Sequence, residues 1–184
     1  MKRLAPYFTS SVIDFDPKLE GSRNKGDRLV LGGRAGPSSS FSNLAHEMAH
    51  LVEIDDARAH MDDWGLRLGT WRSLAGHNWR EFRTSEPMRR ELRVGAYQWA
   101  IHEFFGEDTR EKFVRDYAAL MSRFMPFDTV CIFADEQGEP GQLRACTDYL
   151  NELIDSGDGF EAFEYEWGRK VALLEEHFAR RVAA

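Results

Sequence analysis

Two histidines four residues apart place the strongest constraint on this chain. His46-Glu47-Met48-Ala49-His50 lies in a stretch where Phe41, Leu44, Met48, Leu51 and Val52 recur at helical spacing, so one face of that helix is apolar and meets a core. Residues i and i+4 sit one turn apart on a shared face, which lets both imidazoles reach one ion. Glu47 follows the first histidine by about 100° of helix rotation. Its carboxylate therefore falls beside such an ion, where a general base for an activated water belongs. The helix is expected from about Phe41 to about His60, capped by Ser39 or Ser40 and closed by Asp62-Asp63-Trp64-Gly65. Zn2+ is the expected cofactor, and a catalytic zinc takes three protein ligands and keeps one position open.

The plainer alternative is a surface helix with two solvated histidines. The flanks argue against it. Arg28-Leu29-Val30-Leu31 reads as a short strand ended by Gly32-Gly33, and a loop rich in glycine and serine leads into the helix. This order, LVLGG, loop, HEMAH, resembles the minimal active-site unit of zincin metallopeptidases, over roughly Arg28 to Phe105. The resemblance implies a strand bordering a cleft, His46 and His50 as zinc ligands, and Glu47 as the catalytic residue.

The third ligand separates the subgroups. Metzincins continue as HExxHxxGxxH or HExxHxxGxxD. Here Glu53 replaces the glycine that turns the chain, while Asp56 holds the last position. Without that glycine the helix is expected to continue and carry Asp56 off the histidine face. Gluzincins take a glutamate from a later helix. Glu91-Leu92-Arg93-Val94-Gly95-Ala96-Tyr97-Gln98 resembles the E-x-x-A-x-x-F-A pattern of ImmA/IrrE-type metallopeptidases, and more loosely the protease-like domain of ArdC-type antirestriction proteins. Gly95 departs from the polar residue usual there. Glu91 is the preferred third ligand on this resemblance. His77, in Gly76-His77-Asn78-Trp79, resembles the third-ligand segment of SprT-like proteases and stays a rival, as does Asp56.

Three further residues bear on the site. Glu53 lies seven residues after His46 and shares its stripe, so it is either a partner for an imidazole N–H or a solvated acid. His60 is expected at the surface. His102 falls on the face of Glu91 but about 16 Å along the axis, too far to share the ion, and at most lines the cleft. Arg80, Arg83, Arg89, Arg90 and Arg93 form a local basic run. It reads as a solvated helix face or, more sharply, as a groove for an acidic substrate or nucleic acid.

Elsewhere residues 1–27, broken by Pro6, Pro17, Gly21 and Gly26, are expected to be irregular, and an arm covering the cleft is left open. A second helix is expected from Glu86-Pro87, with proline in its first turn, to Phe105, stopping at Gly106. Asp108–Phe124, Gln142–Ile154 and Phe160–Phe178 read as helices. Pro126–Ala134 reads as a strand or a buried turn. The aromatic stripes of these later segments read as core.

Composition narrows the class. With 42% hydrophobic and 30% charged residues the chain is too apolar for disorder. A net charge of -7 excludes a chain-wide basic footprint for nucleic acid or anionic membrane. No apolar window reaches membrane-spanning length, and MKRLAPYFTSSVIDFD lacks the apolar run of a secretory signal. Cys131 and Cys146 read as reduced core residues, so a cytoplasmic setting is expected.

The expected fold is α+β and predominantly helical: a minimal zincin-like domain over 1–184 with a small edge β-sheet, an active-site core at 28–105 and a C-terminal helical cap at 106–184. The expected function is a soluble zinc-dependent endopeptidase acting on a protein or peptide substrate. The alternatives are a non-catalytic, zinc-stapled interaction or antirestriction protein, and a SprT-like DNA–protein crosslink protease using His77.

Overall fold

The opening residues pair rather than trail. The computed structural model describes residues 4–33, 40–65, 86–106 and 159–182. Helix α1 (Leu4–Phe8) buries Leu4 and Phe8. Ser10 Oγ then accepts hydrogen bonds from the amides of Val12 and Ile13, a serine turn that starts β1 (Ile13–Asp16). After β2 (Ser22–Asn24) comes β3 (Leu29–Gly32). The sheet order is β1-β3-β2. β1 runs parallel to β3 with Ile13 opposite Leu29, and β2 runs antiparallel to it with Ser22 opposite Leu31. The expected irregular 1–27 arm is thus corrected: it supplies both neighbours of the predicted strand, which is the central one of three. All four β3 residues are buried, as a strand covered on both faces must be. Gly32 has no substitute, because a Cβ there would lie 2.4 Å from the Leu19 carbonyl oxygen and 2.6 Å from that of Gly21.

Helix α2 (Ser40–Glu53) carries the two histidines. Phe41, Leu44, Ala45, Met48, Leu51 and Val52 are buried along it, matching the apolar face read from spacing. It ends at Glu53 instead of about His60. Asp55 leaves helical geometry (φ -58°, ψ 141°) and a single 3-10 turn, Asp56–Arg58, follows. The carbonyl of Ile54, just past the helix end, accepts a hydrogen bond from Lys170 Nζ rather than from a further helical turn. A second 3-10 turn, Asp62–Gly65, lies where the closing segment was expected.

Helix α3 (Glu86–Phe105) begins and stops where Pro87 and Gly106 predict. Gly106 sits at φ 59°, the left-handed position that ends many helices. Helix α4 (Gly159–Val182) buries Phe163, Trp167, Leu174 and Phe178, so its aromatic stripe is core. α2 packs against α3, α4 and β3. Leu4, Phe8, Leu29, Leu31, Leu44, Met48, Leu51, Ile101 and Phe163 join one cluster, each fully buried side chain contributing about 1.5–3 kcal/mol. The fold is α+β and dominated by helix. Among the described residues no helix is long and apolar enough to cross a membrane. The segments Asp108–Phe124, Pro126–Ala134 and Gln142–Ile154, with Cys131 and Cys146, lie outside the described residues.

Candidate metal centre

α2 brings its two imidazoles tip to tip. Nε2 of His46 and Nε2 of His50 are 3.0 Å apart, with the rings nearly perpendicular at 89°. Two nitrogens bound to one tetrahedral zinc at 2.0–2.1 Å would be about 3.4 Å apart. With Nε2 of His46 bare, the 3.0 Å contact is a hydrogen bond donated by His50 Nε2. A shift of a few tenths of an ångström, with the His50 proton moved to Nδ1, would let both nitrogens face one ion.

The proton on His46 is fixed by α3. Gln98 Nε2 donates to the Ser42 carbonyl at 2.9 Å and to Ser42 Oγ at 3.0 Å. That leaves Gln98 Oε1 as the acceptor facing His46 Nδ1 at 3.1 Å. His46 must then carry its proton on Nδ1 and present a bare lone pair at Nε2, the tautomer a metal needs. Ser42 Oγ also lies 3.0 Å from Nε2 of His102. His102 is fully buried, edge-on to Phe41. Buried there, it stands apart from the imidazole pair, within the bound the sequence expectation set, and it supports the turn of α2 that holds Gln98.

Burial sets the charge state. It pushes the His46 imidazole down to about 4, with the Gln98 hydrogen bond opposing weakly. It also drives His50 well below the ordinary histidine value, and the neighbouring His46 adds to that. Both rings are neutral near pH 7, as ligands must be. Two neutral imidazoles match two of the ligands a zinc ion takes.

Glu47, half-buried on the next position of α2, accepts a hydrogen bond at Oε2 from the Trp64 indole, 3.3 Å away. The Trp64 ring also lies against His50, at 27° and 6.5 Å between centroids. Neither Gln98 nor Trp64 was expected at the site. Gln98 had a signal, seven residues after Glu91 and thus on the same helix face. Trp64 had none, since it lies in a turn.

Of the three candidate third ligands, only the side chain of Asp56 is among the described residues. Asp56 is not brought to the imidazoles. It pairs with Lys170 at 2.8 Å and with Arg169 at 2.7 Å, two cations of α4 that hold its carboxyl well below the usual carboxylate range. Among the described residues no group of three His, Cys, Asp or Glu side chains is placed to hold an ion. His77 and the side chain of Glu91 lie outside the described residues. The backbone of Glu91 is in α3, two turns before Gln98.

The neighbouring acids and arginines are partners of each other. Arg93 Nε donates to Glu53 Oε1 at 2.6 Å, with the Glu53 side chain only 15% exposed. Arg90 meets Asp55 at 3.2 Å. Glu53 thus turns to α3. Arg80 and Arg83, and the side chain of Arg89, lie outside the described residues. His60 is not a plain surface residue, because it stacks on His177 at 3.9 Å.

No family model matches the chain, and neither a curated protein nor a solved structure matches it.

Proposed function

We propose that this protein is a zinc-dependent endopeptidase of the zincin type, acting on a protein or peptide substrate. The observation that carries the reading is the meeting of His46 Nε2 and His50 Nε2 at 3.0 Å, with Glu47 beside them. Glu91 is the preferred third ligand. Its support is register: α3 touches α2 through Gln98 at His46 and through Arg93 at Glu53. Position 91 continues the Gln98 face toward the His50 end of α2. Zinc, when bound, supplies an acidified water and a polarised scissile carbonyl. Glu47 accepts a proton at its carboxylate and returns it to the departing amine. Gln98 holds His46 in its ligating tautomer, and burial keeps bulk water from the His46 ring. A cytosolic setting belongs to the same reading, resting on the sparse cysteines.

The reading is tested in two stages. Purified protein should hold about one zinc, lost in His46→Ala and His50→Ala. Glu91→Gln should weaken zinc binding far more than His77→Ala, whereas the opposite ranking would favour the SprT-like alternative. Glu47→Gln should keep fold and zinc while losing cleavage by at least about 100-fold, read as new peptide termini in cells expressing wild type but not the variant. Zinc retention without any cleaved partner would leave a zinc-stapled interaction protein. The pairing of Arg90 and Arg93 with Asp55 and Glu53 speaks against a nucleic-acid groove at that end of α3.

A further inference from the structure

We infer that Trp64 is a positioning residue, a strained tryptophan that fixes the Glu47 carboxylate and the His50 ring together. The inference rests on the reading of Glu47 as the base. Trp64 is the sole non-glycine residue with positive φ among the described residues, at 58°. For a bulky L residue this conformation crowds Cβ against backbone carbonyl oxygen. It persists only where the surroundings over-determine it, and such positions gather at functional sites.

The surroundings do so here. Arg58 Nε donates to the Trp64 carbonyl at 2.8 Å, and the Trp64 amide donates to the Met61 carbonyl at 3.2 Å. The side chain is buried, 3% exposed. A glycine or asparagine would make this turn without strain, so the backbone gains nothing from tryptophan. What the ring gains is contact. Its N–H reaches Glu47 Oε2 at 3.3 Å, and its ring runs within 27° of parallel to His50 with the centroids 6.5 Å apart. A buried indole N–H requires an acceptor, and a carboxylate is the strongest available. The hydrogen bond limits rotation of the Glu47 carboxylate about its last torsion, which is otherwise broad. The turn Asp62–Gly65 therefore orients the base from outside the helix that bears it.

The test removes the N–H and leaves the shape. Trp64 is replaced by β-(3-benzothienyl)alanine, in which sulfur takes the place of the N–H, and separately by phenylalanine. The first readout needs neither zinc nor turnover. In metal-free wild type the Trp64 indole 1H–15N resonance, assigned by its loss in Trp64→Phe, should move when Glu47→Gln is introduced. The second uses fluorogenic casein with zinc-loaded protein. Both variants should keep one zinc per chain, and kcat should fall about tenfold, the scale of one hydrogen bond to a charged group, with KM within twofold. An indole resonance indifferent to Glu47→Gln overturns the inference, as does an unchanged kcat in the benzothienyl protein. If wild type cleaves no protein, the peptidase reading fails by itself, and the indole resonance still decides whether Trp64 holds Glu47.

Discussion

Gln98 grips His46 from behind: its side-chain oxygen accepts from Nδ1 at 3.1 Å, while its nitrogen is anchored on Ser42, one turn earlier in the same helix. An imidazole held this way has its tautomer and ring angle settled with no ion present. The two residues stand 52 positions apart, so α3 takes part in building the pair of imidazoles on α2.

Gln98→Met should therefore weaken zinc binding by about 10–100-fold, the usual cost of losing a partner behind a ligand. Competition against a chromogenic chelator measures it. An unchanged affinity would show that packing alone orients His46.

The motif, the strand before it and the bounds of α3 were legible because each is written locally. His46 and His50 share a face by spacing alone, and Pro87 and Gly106 mark helix ends by their own backbone restrictions. The misread parts depend on distant partners. β1 and β2 have four and three residues, too few for periodicity, and β3 makes them strands. α2 stops where Lys170, 116 residues later, takes the Ile54 carbonyl. Gln98 and Trp64 reach the site only through tertiary packing, and an αL tryptophan runs against local preference.

The metal-free protein should lose stability as pH falls below the ordinary histidine value. His46 titrates near 6.5 in an unfolded chain and at about 4 in the fold. Between those values the unfolded chain takes up a proton that the folded chain refuses, which favours unfolding. The contribution is full above about pH 6.5, falls by roughly 1.4 kcal/mol per pH unit for one such group, and levels off below about pH 4. His50 acts in the same direction. Urea midpoints between pH 7.5 and 4.5 give the slope, and His46→Gln should flatten it. A wild-type profile with no slope would mean that water reaches the rings.

Glu53 and Arg93 join the end of α2 to the helix that bears Glu91. Their contact is short at 2.6 Å, but Arg93 is 42% exposed, so solvent screens part of it. Glu53→Gln should cost about 1 kcal/mol in urea unfolding, the upper end for partly exposed pairs. Arg93→Ala should cost a similar amount, and the double variant less than the sum. Additive losses would show that the pair contributes nothing beyond each residue's own packing.

Lys170 ties α4 to the far end of α2. Its side chain is 1% exposed, and its ammonium meets the Ile54 carbonyl and, at 2.8 Å, Asp56 Oδ1. A cation at a helix C-terminus is favoured by the helix dipole, and a buried one needs every partner it has. Lys170→Met keeps the apolar stem, strips the Ile54 carbonyl of its donor and leaves Asp56 with Arg169 alone. The expected loss is about 2 kcal/mol, read as a lower urea midpoint with an unchanged slope. Asp56→Asn probes the other half. Lys170 and Arg169 hold the Asp56 carboxyl below its ordinary range, so its contribution is present above the unfolded value near 3.9 and is lost as pH falls through the folded value. The stability gap between wild type and Asp56→Asn should thus be constant from pH 7 to 5, begin to narrow below about pH 4 and close only once pH has fallen through the folded value. A gap that persists at lower pH would mean that asparagine perturbs the turn itself, and that the ion pair does not hold α4 to the histidine helix.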